Sequence, residues 1–352
     1  HGRREVERKT RVGLAQVAQA AGVSNSTASR ALSGHPKVSP ETRRTVLATA
    51  TRLGYVRNLG AAGLASTRNT AVGLLIRDAG FHFYGQVSTE IQRETDRAGL
   101  DLLITAGGDK EETQVEAVEN LLGHSVGGII VASGRVSSRA IEHSASFVPT
   151  ITVALSSTHP GIDCIRIDPQ SELDLARRII DAGHRHVAIT ASRHPLATTL
   201  HARTATFLTE FVVAGVTTSI VTEDAAQGEA FENGLRQALD EGATAIVAGS
   251  DMIALRALEL LQEWGISCPE EVSVTGFDGV GPYRSPLLGL TTVEQPVTDM
   301  AREAVSLLTA RFNGGDSAER DIRIPGRIIE GRTLGQAPAR PSDESGPFPG
   351  ER

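Results

Sequence analysis

LAQVAQAAGVSNSTASRALSGHPKVSPETRRTVLATATRLGYVRN, residues 14–58, carries the most decisive pattern in the chain. Leu14, Val17, Ala18 and Ala21 recur at helical spacing, and Gly22 ends the run as a left-handed turn residue does. Ser24 is placed to cap a second helix, Asn25 to Leu32, whose Ala28 and Leu32 face the first. Ser39 caps and Pro40 opens a third helix, which runs through Val46, Leu47 and Leu53 to Gly54 and closes a three-helix core. Two short helices joined by a glycine turn make a helix-turn-helix, a DNA-binding unit. A small helical bundle with no DNA role would share this core, so the outer surface has to separate the two.

On the second helix Asn25, Ser26, Ser29 and Arg30 point outward. Residues of its first turn would meet base edges in the major groove, with Arg30 one turn behind Ser26 on the same side. Thr27 and Ser29 suit phosphate oxygens, which position a helix without reading sequence. Charge agrees: residues 1–68 hold 12 Lys/Arg against 3 Asp/Glu, a balance of +9, although the whole chain carries −7 and the rest therefore −16. A basic head on an acidic body is the footprint of a nucleic-acid module. Taken alone, the charge leaves a solvated basic tail equally open.

Working outward, 352 residues fit two or three domains. Cys164 and Cys268 are the only cysteines and lie far apart, so neither a disulfide framework nor a zinc site is expected. No signal-type apolar run opens the chain, and no stretch nears the roughly 18 apolar residues that span a bilayer. A cytoplasmic protein with no membrane partner is expected.

From Ala71 onward short apolar runs alternate with amphipathic helical stretches. The runs are AVGLLI (71–76), LDLLIT (100–105), GGIIV (127–131), TITVAL (150–155), HVAIT (186–190), TAIVAG (244–249) and VSVTGF (272–277). The alternation predicts an α/β body of parallel sheets covered on both faces, with ligands bound beyond the carboxyl ends of the strands. Phosphate-loop, nucleophile-elbow and dinucleotide fingerprints are missing, so neither an enzyme nor a cofactor is expected. His184-Arg185-His186 invites a metal assignment, but its place before HVAIT favours a turn and strand start, and no metal site is expected.

The head resembles the LacI family of bacterial repressors in A-G-V-S, T-x-S-R-x-L-[SN]-G, V-S-x-E-T-R and L-G-Y. The body is similar to the same family in GHRHVAI (183–189), ARTATF (202–207), SDMIALRAL (250–258), CPEEVSVTGFD (268–278) and LTTVEQP (290–296). The resemblance spans roughly residues 12–333. It implies a three-helix helix-turn-helix domain followed by two doubly wound parallel-sheet subdomains of the type I periplasmic-binding-protein kind, joined by three crossovers with an effector in the cleft. It also implies a hinge that folds on DNA, in which Asn58 belongs to the DNA-contacting set and Leu64 wedges into the minor groove. Arg57 and Ala62 stand where the family has proline and arginine, and Gly60 and Gly63 each lower helix propensity by roughly 1 kcal/mol.

Carried over by position, the effector contacts are Phe83 and Tyr84 as aromatic faces, Arg203 as a forked donor, and Ser250, Asp251 and Asp278 after two strands. For Phe83, Tyr84 and Asp251 a core or helix-capping role is the alternative. Ala154 and Ala225 stand where sugar-binding members carry an aspartate and an aromatic, which allows a larger or less polar effector, or none. The expected divisions are a flexible 1–11, a DNA-binding 12–57, a hinge 58–69, an effector-binding and dimerisation body 70–333, and a disordered tail 334–352. The resulting expectation is a homodimeric regulator on pseudo-palindromic double-stranded operator DNA, a repressor of a carbohydrate-uptake or catabolic operon controlled by a sugar or sugar derivative. A solute-binding protein would instead need a signal peptide and no basic head; a regulator answering a nucleobase, or no ligand, is a further alternative.

Overall fold

The computed structural model describes residues 12–55, 71–155, 159–223, 228–312, 314 and 318–339. Chain contacts divide it into two compact units, residues 1–68 and 69–352.

The first unit contains α1 (Leu14–Ala20), α2 (Asn25–Leu32) and α3 (Pro40–Leu53). Ser24 and Ser39 cap α2 and α3 by accepting the Thr27 and Thr42 amides. Gly22 and Gly54 take the left-handed conformation that ends each preceding turn, a φ that side chains resist. Val17 and Ala18 of α1, Ala28 and Ala31 of α2, and Val46 and Ala50 of α3 form the core. Leu32 packs half-buried against this core, as expected, beside the fully buried Ala31; one position differs, since Leu47 is 45% exposed because the inward stripe of α3 passes through Val46, Ala50 and Leu53. Small residues at the α1–α2 contact let two short helices approach closely.

The body is built on two six-stranded sheets. The first comprises β1 (Ala71–Ile76), β2 (Asp101–Ala106), β3 (Gly128–Ala132), β4 (Thr150–Val153) and β5 (Asp163–Ile167), joined by β11 (Asp321–Ile324), in the order β2-β1-β3-β4-β5-β11. The second comprises β6 (His186–Ala191), β7 (Thr217–Thr222), β8 (Ala245–Val247), β9 (Ser273–Asp278) and β10 (Thr291–Glu294), joined by β12 (Arg327–Ile329), in the matching order β7-β6-β8-β9-β10-β12. Every pairing is parallel except β10 with β12. Both orders are doubly wound, with the switch between the first and third strands of each sheet.

The covering helices are α4 (His82–Ala98), α5 (Glu111–Gly123), α6 (Ser138–Ala145), α7 (Gln170–Asp181), α8 (Thr198–Val213), α9 (Glu229–Asp240), α10 (Asp251–Trp264) and α11 (Val297–Phe312). The chain leaves the first sheet after β5, returns to it through α11 and β11, and leaves again for β12, giving three crossovers. All seven expected strands are present within two residues of their ends. β5, β7, β10, β11 and β12 were not expected: DCIRI, TTSIVT, TTVE and DIRI each mix polar with apolar residues, and all five strands sit at or next to a sheet edge.

The return through α11 is pinned by a bidentate ion pair. Arg311 donates from Nε and Nη2 to both Asp163 oxygens at 3.0 Å, and Arg320 N–H donates to the same carboxylate, which is only 3% exposed. The expected tail also needs correction at its start. Through Ala339 the chain is held on the body: Gly335 N–H donates to Ser273 Oγ, and Ala337 N–H to the Ala182 carbonyl. His184 is part of that attachment, its Nε2 bonding the Gly335 carbonyl and its Nδ1 the Thr244 hydroxyl, and burial pushes its pKa down. Asn58 and Leu64 lie outside the described residues.

Removing one partner of a buried pair strands the other charge, so Asp163→Ala should lower unfolding free energy by about 3 kcal/mol in a urea titration. A loss under roughly 1 kcal/mol, the scale of an exposed pair, would show that the pair does not anchor the crossover.

Candidate nucleic-acid interface and cleft site

In the head, α2 presents one polar edge. Asn25, Ser26 and Arg30 are exposed, while Thr27 and Ser29 are half-buried beside them. Arg30 lies back along its own helix, its Nε donating to the Ser26 carbonyl at 3.1 Å and Nη2 to Ser26 Oγ at 3.4 Å. That places Ser26 and Arg30 on one line, as their four-residue spacing requires. Thr27 Oγ1 is 2.9 Å from Ser24 Oγ, so it shares in the cap. The edge offers hydroxyl, amide and guanidinium groups, the set that bonds base edges and phosphates. Its acidic neighbour on α3, Glu41, is the only carboxylate among the described head residues.

In the body, the carboxyl ends of strands from both sheets surround a cavity of about 390 Å³. Arg77 follows β1, Gly134 and Arg135 follow β3, and Ala154 follows β4. Facing them, Glu223 follows β7, Gly249 and Ser250 follow β8, Asp278 ends β9 and Gln295 follows β10. Four of the six expected contacts meet there as aromatic, guanidinium and carboxyl groups: Phe83, Tyr84, Arg203 and Asp278.

Phe83 and Tyr84 sit in the first turn of α4 with Phe81 just before it. Tyr84 packs edge-on to both, at 5.4 and 6.2 Å between ring centroids. Its hydroxyl accepts the Gly134 amide at 3.0 Å, so the ring is locked into the wall, and burial raises its pKa. Arg203, on α8, is 6% exposed. Its guanidinium lies 3.3 Å from the Phe277 ring centroid, Nη1 donates to the Gly249 carbonyl at 2.6 Å, and Nε has no hydrogen-bond partner among the described residues. A buried donor left open in this way is a place for a ligand acceptor.

Ser250 takes its expected place in the wall, while Asp251 stands differently from the expectation. Ser250 lines the cavity, but its Oγ caps α10 by accepting the Ile253 amide. Asp251 is fully buried and is not in the cavity wall. Its carboxylate accepts the Gly279 amide at 2.7 Å and the Thr292 hydroxyl at 2.5 Å, tying α10 to β9 and β10. It neither caps the helix nor meets the cavity: the first residue of α10 points under the sheet, where two donors meet it.

Asp278 is held by Gln295, whose Nε2 donates to Oδ1 at 2.8 Å, and its backbone takes φ +127°, a strained conformation for an L-residue. Burial, and then the neighbouring Asp251 charge, push Asp278 up to about 8, against the opposing pull of Arg203. Burial raises Asp251 as well. The two behave as one coupled site. Asp251 has more hydrogen-bond donors than Asp278, so the charged form is better supported on Asp251 and the neutral form is favoured on Asp278.

Several wall residues lay beyond the sequence reading. Thr190 at the end of β6 donates to Glu223 at 2.6 Å and accepts the Gly249 amide at 2.7 Å, so one hydroxyl sets both. A Cβ on Gly249 would stand 2.5 Å from the Glu223 carboxylate, which fixes glycine there. Arg77 bonds Asp109 through Nε and Nη2 at 2.6 and 3.2 Å and lies 4.5 Å over Phe81. Arg135 reaches across the cleft to Ser192 at 3.3 Å. Glu223, Gly249, Arg77 and Arg135 each follow a strand, so the rule that ligands bind past strand carboxyl ends already marked these positions. Ala154 holds φ +59° in the wall, and Ala225 lies outside the described residues.

Among the described residues no cluster of His, Cys, Asp and Glu is arranged to hold a metal, and no helix is long and apolar enough to cross a membrane.

Residues 13–58 match the family profile described as bacterial regulatory proteins, lacI family, and residues 176–334 match a periplasmic binding protein-like domain. Catabolite control protein A of Priestia megaterium is 31% identical over 328 residues, covering 90% of this chain and 97% of the relative. The HTH-type transcriptional regulator GalR of Escherichia coli is 29% identical over 308 residues, covering 84% and 88%. A crystal structure of the lac repressor dimer bound to operator and the anti-inducer ONPF superposes with a TM-score of 0.76 at 25% identity, covering 93% of this chain and 100% of that one. With the likeness running through both units at this identity and coverage, the chain belongs to the lacI family of bacterial regulatory proteins.

Proposed function

We propose that this chain is a sequence-specific DNA-binding transcription regulator, a homodimer that represses a carbohydrate-uptake or catabolic operon and answers to a sugar or sugar derivative in the cleft. The observation that carries the reading is the pairing, in one lacI-family chain, of an exposed polar edge on α2 with a walled cavity between two sheets. Asn25, Ser26 and Arg30 are the base-reading candidates, Thr27 and Ser29 the phosphate contacts, and Asn58 and Leu64 the hinge contacts. Two heads would read half-sites of a pseudo-palindrome about one helical turn apart.

In the cleft, Phe83 and Phe81 would cover an apolar sugar face, the Arg203 guanidinium would donate to an oxygen, and the Asp278 carboxyl would bond a hydroxyl. Ser250 contributes through the position of α10, and Asp251 by setting the ionisation of Asp278. The wall groups fix one another's positions, which suits binding rather than bond breaking, and the reading is of a non-enzymatic protein working in the cytoplasm. The similar lac repressor dimer, bound to operator and the anti-inducer ONPF, supports a reading in which one protein holds both DNA and a small molecule.

Footprinting on DNA upstream of the chain's own operon should reveal a palindromic site whose protection falls steeply with salt; no such site would overturn the reading. At that site Arg30→Ala should weaken binding roughly tenfold to a hundredfold and relax sequence preference, as loss of a base contact does. A uniform loss across sequences would instead make Arg30 a phosphate contact.

The carboxylate pair gives a pH signature. Folding raises the Asp278 pKa to about 8, so between the ordinary carboxylate range and that value the folded chain holds a proton that the unfolded chain has released. The stabilisation is therefore complete in acid and is lost as pH rises through about 8. Asp278→Asn, neutral at every pH, should melt progressively higher relative to the parent as buffers move from about pH 5 to about pH 8, and the difference should level off above that. Parallel melting curves would place the shared proton elsewhere.

A further inference from the structure

The polar groups that line the cavity are largely committed to the protein itself. Arg77 donates to Asp109 at 2.6 Å, and Arg135 donates to Ser192 at 3.3 Å with Asp109 3.8 Å away. The Tyr84 hydroxyl accepts the Gly134 amide, Ser250 Oγ accepts the Ile253 amide, and Glu223 accepts the Thr190 hydroxyl. Gln295 donates to Asp278, and Arg203 to the Gly249 carbonyl. A polyol taken out of water needs a partner for each hydroxyl, and a hydroxyl buried without one is destabilising. The apolar lining is in the opposite condition. Phe81, Phe83 and Leu200 are half-buried, and Met252 is 38% exposed. Phe81 and Phe83 stand at the start of α4, on the wall of the first sheet, whereas Leu200 of α8 and Met252 of α10 line the wall of the second. Two phenylalanines are enough to cover the apolar face of a sugar ring. Leu200 and Met252 are then left to meet what a ligand carries beyond its ring.

Resting on the effector reading above, we infer that the cavity selects a glycoside over a bare sugar: a sugar ring on Phe81 and Phe83 that carries an apolar substituent, aryl or alkyl, against Leu200 and Met252. Open apolar surface in a cavity of about 390 Å³ gains most from an apolar group that displaces water from it. Methionine suits the contact, because its unbranched, polarizable side chain adapts to aromatic and aliphatic groups alike. The ring hydroxyls are few enough for Arg203 and Asp278 to meet, since the substituent replaces one of them.

The test is isothermal titration of the full-length protein with glucose, galactose and xylose, and with the methyl, phenyl and cyclohexyl glycosides of each in both anomeric forms. At least one phenyl or cyclohexyl glycoside should bind roughly tenfold or more tighter than its methyl counterpart, the scale of burying one large apolar group, and with a more negative heat-capacity change. A phenyl lead assigns an aryl substituent, and a cyclohexyl lead an alkyl one. Met252→Ser should bring the ratio toward one by weakening the bulky member, and Met252→Leu, which keeps an apolar side chain of similar size, should retain most of it. Equal affinities for methyl and bulky glycosides, or a ratio that Met252→Ser leaves unchanged, overturn the inference and leave the effector reading standing. If no probe of any kind binds or raises the melting temperature, both fall.

Discussion

Parallel strand pairing is the constraint on which the rest of the body depends. A parallel pair needs a crossover for each connection, and a right-handed helical crossover delivers successive strands with their carboxyl ends on one side. Here two sheets of the same strand order do this, and the cavity is walled by those ends from both. The three passages between sheets then have to be anchored. The Arg311–Asp163 pair and the Arg166–Asp321 pair, at 2.8 and 2.6 Å, hold the return path beside β5. Segments distant in sequence, such as Ala154 and Thr199, are thereby brought to the same cavity.

Within that frame the site is organised by buried charge. Asp251 took no place in the wall, yet it bears on it: after burial itself, its charge is the next influence that raises the Asp278 pKa. Gly249 and Thr190 do comparable work for Glu223, and Phe277 for Arg203. The groups that meet a ligand are few, and each is oriented by a neighbour that does not.

Much of this was legible in the sequence. Ser24, Gly22, Ser39-Pro40 and Gly54 mark the head helices because caps and left-handed turns are local chemistry, readable without tertiary context. Continuous apolar runs marked the buried strands. Edge strands such as β7 were silent because half of their surface meets water. The Leu47 assignment failed for a related reason: hydrophobicity shows that a residue can be buried, while helical phase decides whether it is. Side-chain direction at Asp251 was also invisible, since its donors, Gly279 and Thr292, arrive from 28 and 41 residues away. The attachment of residues 335–337 likewise depends on distant partners, Ser273, His184 and Ala182.

A regulator of this kind requires its cleft and its head to be thermodynamically coupled. The direct measurement is the affinity for operator DNA with and without saturating effector, paired with the affinity for effector with and without operator. Linkage requires the two ratios to be equal, typically about five-fold to 150-fold for coupled sites, and Arg203→Ala should bring both toward one by weakening effector binding at its source. Tight binding at both sites with ratios of one would contradict the account.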